Sequence, residues 1–225
     1  MNSENFFTTT EWNKTPKDTR IYVITVSTGQ KGRKPDLTNL YDVCDKISST
    51  SPDALICMES TVPVGICRKL AEKFGLPIFV HVPHRYWRGD PINFGVKVLR
   101  VFGALTSQSS AIGLDFYKKL EIPLHIVPKI EIAEMCKIAE NAHTYVRIAF
   151  VEGLRMTCED LGLDFNKVRD ACNTKWNVDL YEARDDIWGY CLPKDIRRAR
   201  EQFEQTLGIK ESSDLRKQIQ CLKIL

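Results

Sequence analysis

Four groups of residues in this 225-residue chain are of kinds that do chemistry. Cys191 lies in Trp188-Gly189-Tyr190-Cys191-Leu192-Pro193-Lys194-Asp195. There Lys194 can favour a thiolate and Asp195 can orient a water, which suits a nucleophile. A free cysteine is equally at home as an inert small hydrophobe. Glu134, Lys137 and Asn141 recur at i, i+3 and i+7, on one face of a helix. Such a trio is either a solvated stripe or a Lys and an Asn aimed at developing negative charge. Ser60-Thr61-Val62-Pro63-Val64-Gly65 reads as a helix start, with Ser60 or Thr61 capping and Pro63 in the first turn. At the C-terminal end of a parallel strand, the same hydroxyls would instead meet a cofactor or a water. His84 ends the next apolar run, as a satisfied loop histidine or as a base near neutral pH.

These groups need a scaffold. Short β-branched apolar runs at 21–26, 54–58, 78–82, 99–103 and 124–127 predict five strands. Helices are predicted over 36–48 with Asp36 as N-cap, through Arg68–Phe74 ending at Gly75, and over 110–120. Strands alternating with helices predict a parallel sheet with helices on its faces. Gln30–Pro35, basic and containing a glycine, predicts a surface loop. Beyond Pro128 the pattern changes: 132–161 predicts one long helix, 164–173 a second, and a short helix follows near Leu180. Residues 1–19, polar and without periodicity, predict a flexible tail.

Composition bounds the function. Hydrophobic residues make up 43% and charged residues 27%, as in ordinary globular proteins. A net charge of +3 argues against a nucleic-acid partner, Arg85-Tyr86-Trp87-Arg88 notwithstanding. No apolar run approaches the roughly 18 residues a membrane helix needs, and the N-terminus lacks a signal-peptide pattern. The eight cysteines form no Cys-x-x-Cys pair, so no metal site is predicted. Free thiols point to the cytoplasm.

Taken together, Glu59-Ser60-Thr61-Val62-Pro63-Val64-Gly65, Pro83-His84-Arg85 through Gly89, Ala133-Glu134-x-x-Lys137-x-x-Glu140-Asn141 and Gly189-Tyr190-Cys191-Leu192-Pro193-Lys194-Asp195 resemble, in order, motifs of the nucleotide-sugar 6-dehydrogenases. The resemblance runs from about Arg20 to about Phe203. It implies NAD-dependent oxidation of a UDP-sugar primary alcohol to the carboxylate through a Cys191 thioester, in polysaccharide biosynthesis. Lys137 and Asn141 would stabilise the oxyanion, and Asp195 and Thr61 would position water. Ser27, Thr28, Ser60 and Thr61 would touch the cofactor. His84 stands where the resembled motif has a Glu base, and Trp188 where it has a Gly.

The implied fold is a partial Rossmann-like sheet of about five parallel strands over 20–128, then a helical dimerisation-type domain over 129–205 with a long central helix. A charged helical tail over 206–225 completes the expected division. No Gly-x-Gly-x-x-Gly fingerprint occurs, so the chain reads as truncated at both ends relative to the family. The isolated chain is then expected to bind NAD weakly or not at all, with a second chain supplying the cofactor segment. A homodimer through 132–161 is expected, with no membrane partner. The alternative is a non-catalytic relative that serves as a binding or oligomerisation module.

Overall fold

The computed structural model describes residues 8–31, 34–87, 89–183 and 196. All five apolar runs form strands: β1 (Ile21–Ile24), β4 (Leu55–Met58), β5 (Phe79–His81), β6 (Arg100–Ala104) and β7 (Leu124–Val127). They join in one sheet of order β1-β4-β5-β6-β7. The stretch predicted as a loop instead folds into an antiparallel hairpin of β2 (Gly29–Lys31) and β3 (Lys34–Asp36). A two-stranded ribbon pairs main-chain groups and needs no apolar alternation, so its basic sequence concealed it.

The sheet is mostly parallel, with one correction to the expectation. β1 pairs with β4, and β4 with β5, in parallel. α1 (Thr38–Thr50) and α2 (Ile66–Phe74) carry these two crossovers. Among the described residues no α-helix links β5 to β6, and the connection holds a π-helical turn at Ile92–Val96. β6 therefore returns antiparallel to β5, Val80 facing Ala104 and His81 facing Gly103. α3 (Ser107–Lys119) restores a helical crossover, and β7 lies parallel to β6.

Period-two alternation sends side chains to two cores. On one face Ile24, Ile56, Met58 and Phe79 meet Leu40, Cys44 and Ile47 of α1 and Leu70 of α2. On the other, Leu55, Cys57, Val80 and Phe102 pack with Tyr117 of α3. Each fully buried side chain of this size contributes about 1.5–3 kcal/mol. Trp12, in a single 3-10 turn, stacks on Tyr22 of β1 at 5.9 Å between centroids. β1 has no second strand beside it among the described residues, and its Ile21 and Val23 are exposed.

The chain divides at 136/137 into two compact units. The helix α4 (Ile130–Asp160) begins in the first, where Gly103 lets it approach β6. A Cβ at Gly103 would lie 2.8 Å from the Ile130 Cα. In the second unit, α5 (Phe165–Cys172) starts where Asp164 accepts the N–H groups of Asn166 and Lys167. Val151, Cys158 and Phe165 form its small core with Leu154, Val168 and Leu180. Residues 178–183 are not helical, contrary to the expectation near Leu180. Asn173 explains why: its amide accepts the Leu180 N–H at 2.7 Å and donates to the Leu180 carbonyl at 3.1 Å. Arg147 then lies over the Tyr181 ring and pairs with Asp179.

Candidate functional site

The ends of β1, β4 and β5 and the start of the reversed β6 share one edge of the sheet. Ligands bind at such edges in open α/β sheets. Five of the sequence-predicted residues meet there. The main-chain carbonyl of Ile24 accepts the N–H groups of Glu59 and Ser60. Ser60 Oγ donates to the Val26 carbonyl at 2.6 Å, and Thr28 Oγ1 to the Thr61 carbonyl at 2.7 Å. Ser27 accepts from Asn39 through its carbonyl. The His84 N–H donates to the Glu59 carbonyl at 3.3 Å. The loops carrying Ser27, Thr28, Ser60, Thr61 and His84 are thus stapled together, and the Ser60 and Thr28 hydroxyl protons are committed to main-chain oxygens.

Neither Ser60 nor Thr61 caps α2. The N-cap is Gly65, at φ +85°, a left-handed conformation that favours glycine. The carboxylate that serves this helix start comes from Glu134 of α4, fully buried, which accepts Gly65 N–H at 2.5 Å and Cys67 N–H at 2.9 Å. Burial pushes the Glu134 carboxyl above its ordinary range, and these N–H bonds draw it back in part. Glu134 is therefore neither part of a solvated stripe nor a reaction group. Lys137 and Asn141 follow it on α4 and are half-buried, on the portion that belongs to the second unit. Cys191 and Asp195, with Trp188 and Lys194, lie outside the described residues.

A second buried network at the edge had not been anticipated. Arg100, which opens β6, donates to Glu59 Oε1 at 3.0 Å, and both side chains are less than a tenth exposed. Tyr117 donates its hydroxyl to the same oxygen at 2.9 Å. The other terminal nitrogen of Arg100 lies 3.4 Å from His84 Nε2. The sequence held one signal for it: a lone Glu and a lone Arg, each at the end of an apolar run, are too costly to bury unless paired. Cys57 sits beside Tyr117, its thiol pushed up to about 12 mainly by burial, so it is no nucleophile. No group of three or more metal-ligating side chains occurs among the described residues. None of their helices is long and apolar enough to cross a membrane.

A dinucleotide pyrophosphate asks for open main-chain N–H groups at a helix N-terminus. The two helices that follow β1 and β4 both start on a carboxylate. Asp36 Oδ1 accepts the Thr38 N–H at the head of α1, and Glu134 fills the head of α2. These two helix heads therefore do not fit that pyrophosphate.

Comparison with known proteins gives two matches in succession. Residues 1–121 match the model of the UDP-glucose/GDP-mannose dehydrogenase family, NAD binding domain, and residues 131–215 that of the central domain. The UDP-N-acetyl-D-mannosamine dehydrogenase of Escherichia coli K12 is 29% identical over 199 residues, 80% of this chain and 47% of that protein. Among solved structures, a UDP-D-ManNAc dehydrogenase from Pyrococcus horikoshii has a TM-score of 0.74 at 23% identity, covering 87% of this chain and 48% of the other. A UDP-glucose dehydrogenase from Pyrobaculum islandicum also has a TM-score of 0.74 at 23% identity, covering 89% and 49%. The chain spans about half the length of the curated relatives it matches.

Proposed function

The chain belongs to the UDP-glucose/GDP-mannose dehydrogenase family, and on that premise we propose that it supplies the thioester-forming part of a nucleotide-sugar 6-dehydrogenase. Its substrate is a UDP-sugar, oxidised at a primary alcohol to the carboxylate. Cys191 is the nucleophile, since a thiolate adds readily to a carbonyl and leaves again on hydrolysis. Lys137 and Asn141 stabilise the oxyanion. Asp195 and Thr61 hold the water, with His84 at the same strand edge. A second chain supplies the pyrophosphate cradle for NAD that the heads of α1 and α2 do not offer. The long helix, which exposes Phe150 and Met156, pairs two copies. The reaction takes place in the cytoplasm and feeds polysaccharide biosynthesis.

One observation carries this reading: the two family segments occur in order, the strand-end motif in the first and Lys137, Asn141 and Cys191 in the second. A second reading, a non-catalytic binding or oligomerisation module, is favoured by the carboxylates at the heads of α1 and α2. NADH formation from UDP-N-acetylmannosamine or UDP-glucose separates the two. The enzyme reading expects none from the chain alone and turnover when a chain bearing a Gly-x-Gly-x-x-Gly segment is added, lost in Cys191→Ala. Silence in every such mixture, together with a stable dimer in sedimentation, leaves the module.

A further inference from the structure

We infer that Arg100 is a positioning residue that holds His84 in its Nδ1–H tautomer, so that position 84 has no ring lone pair left to act as a proton acceptor. A guanidinium stays protonated and has no lone pair to offer. Facing it at 3.4 Å, His84 Nε2 must therefore be the acceptor, which leaves the ring proton on Nδ1. Arg100 is not at liberty to turn away. Its other terminal nitrogen is held at 3.0 Å by Glu59, and Glu59 is held in turn by the Tyr117 hydroxyl at 2.9 Å. His84 is fixed from two further sides. Its main-chain N–H reaches the Glu59 carbonyl, and the Tyr86 ring packs edge-on against the imidazole at 5.9 Å between centroids. Among the described residues, Glu59, Arg100, Tyr117 and Tyr86 are charged or titratable groups of this network.

The consequence for chemistry is specific. A general base needs a lone pair within reach of the proton it takes. The Nε2 lone pair is directed at a permanent cation, and Nδ1 carries its proton. His84 therefore does not reproduce the work of the Glu base it stands in for. That statement about the reaction rests on the dehydrogenase reading, whereas the tautomer does not.

The test is a long-range proton–nitrogen correlation spectrum of the full chain labelled with nitrogen-15 histidine, at pH 7. Sequential connectivities separate His84 from His81, His125 and His143. The expected spectrum has a pyrrole-type Nδ1 and a pyridine-type Nε2 at His84. A pyrrole-type Nε2, or an imidazolium at that pH, overturns the inference. Arg100→Lys keeps the charge opposite Glu59 but loses the second nitrogen. It is expected to move His84 to an averaged mixture of tautomers. An unchanged His84 pattern in that folded variant would show that Arg100 does not set the tautomer. A chain with no dehydrogenase activity gives the same wild-type spectrum, so the two readings fail separately.

Discussion

The buried carboxylate of Glu134 accepts the main-chain N–H of Cys67 at 2.9 Å across 67 residues of chain. With the second bond to Gly65, one side chain of α4 satisfies two of the four N–H groups that α2 leaves open at its start. Glu134→Ala strands both donors in a dry site. A loss of about 2–4 kcal/mol is expected, from the missing bonds and the cavity together. Glu134→Gln keeps the volume but only one acceptor, and should fall between. Urea unfolding measures both; an Ala variant as stable as the parent contradicts the assigned role.

His81 should make the fold sensitive to acid. It is fully buried in β5, neither ring nitrogen has a hydrogen-bond partner of good geometry among the described residues, and burial lowers its pKa from 6.5 to about 3. The unfolded chain takes up the proton below 6.5 while the folded chain refuses it. Stability from this residue is thus present above 6.5 and is lost as pH falls toward 3, by about 1.4 kcal/mol per pH unit. His81→Leu removes the titration. Its unfolding midpoint should change less between pH 7 and pH 5 than that of the parent; equal slopes would exclude His81 as the cause.

Gly103 is expected to tolerate no side chain. The Cβ of an alanine there would meet the Ile130 Cα at 2.8 Å and the Ala133 Cβ at 2.9 Å. The first is helix main chain, which cannot rotate aside. Gly103→Ala should cost about 1–3 kcal/mol and Gly103→Val more, read as a drop in the thermal midpoint. Gly153, with open space around its Cβ position, is the control. There an alanine should hold or raise stability, by about 0.5–1 kcal/mol.

Thiol labelling should sort the cysteines by burial. Cys44 and Cys57 are both pushed up to about 12, mainly by burial, and Cys67 is raised by burial and by Glu134 beside it. Cys172 is exposed. In the native chain, iodoacetamide at mildly alkaline pH should label Cys172 early and Cys44, Cys57 and Cys67 only after denaturant is added. Mass spectrometry of the peptides reports each site. The proposed function adds that Cys191 outpaces Cys172; labelling slower than Cys172 counts against a nucleophile.

Much of the scaffold was legible because its signals are local. The β-branched runs name the five strands of the sheet, and Gly75 marks the end of α2. What escaped depends on distant partners. The i, i+3, i+7 spacing placed Glu134 with Lys137 and Asn141, but nothing within a helical turn shows that its carboxylate meets α2. Arg100 read as a strand-opening charge, since Glu59 and Tyr117 are 41 and 17 positions away. Asp36 is not the N-cap expected of it: Leu37 holds that place, and Asp36, the last residue of β3, only accepts the Thr38 N–H from outside the helix. The direction of β6 was illegible for another reason: only the want of a helix between β5 and β6 decides it, and Ile92–Val96 offers no apolar period to read.

The reversal of β6 also sets what this corner can inherit. Pairing of Val80 with Ala104 fixes the register at the strand, while the chain between them runs mostly as loop. Insertions and deletions inside that loop, beyond His84 and Arg85, can accumulate without changing the register of Arg100. A single residue gained or lost between Arg100 and Ala104 would turn the guanidinium to the opposite face of the sheet and leave Glu59 with the Tyr117 hydroxyl but no cation. Length drift is permitted on one side of Arg100 and forbidden on the other.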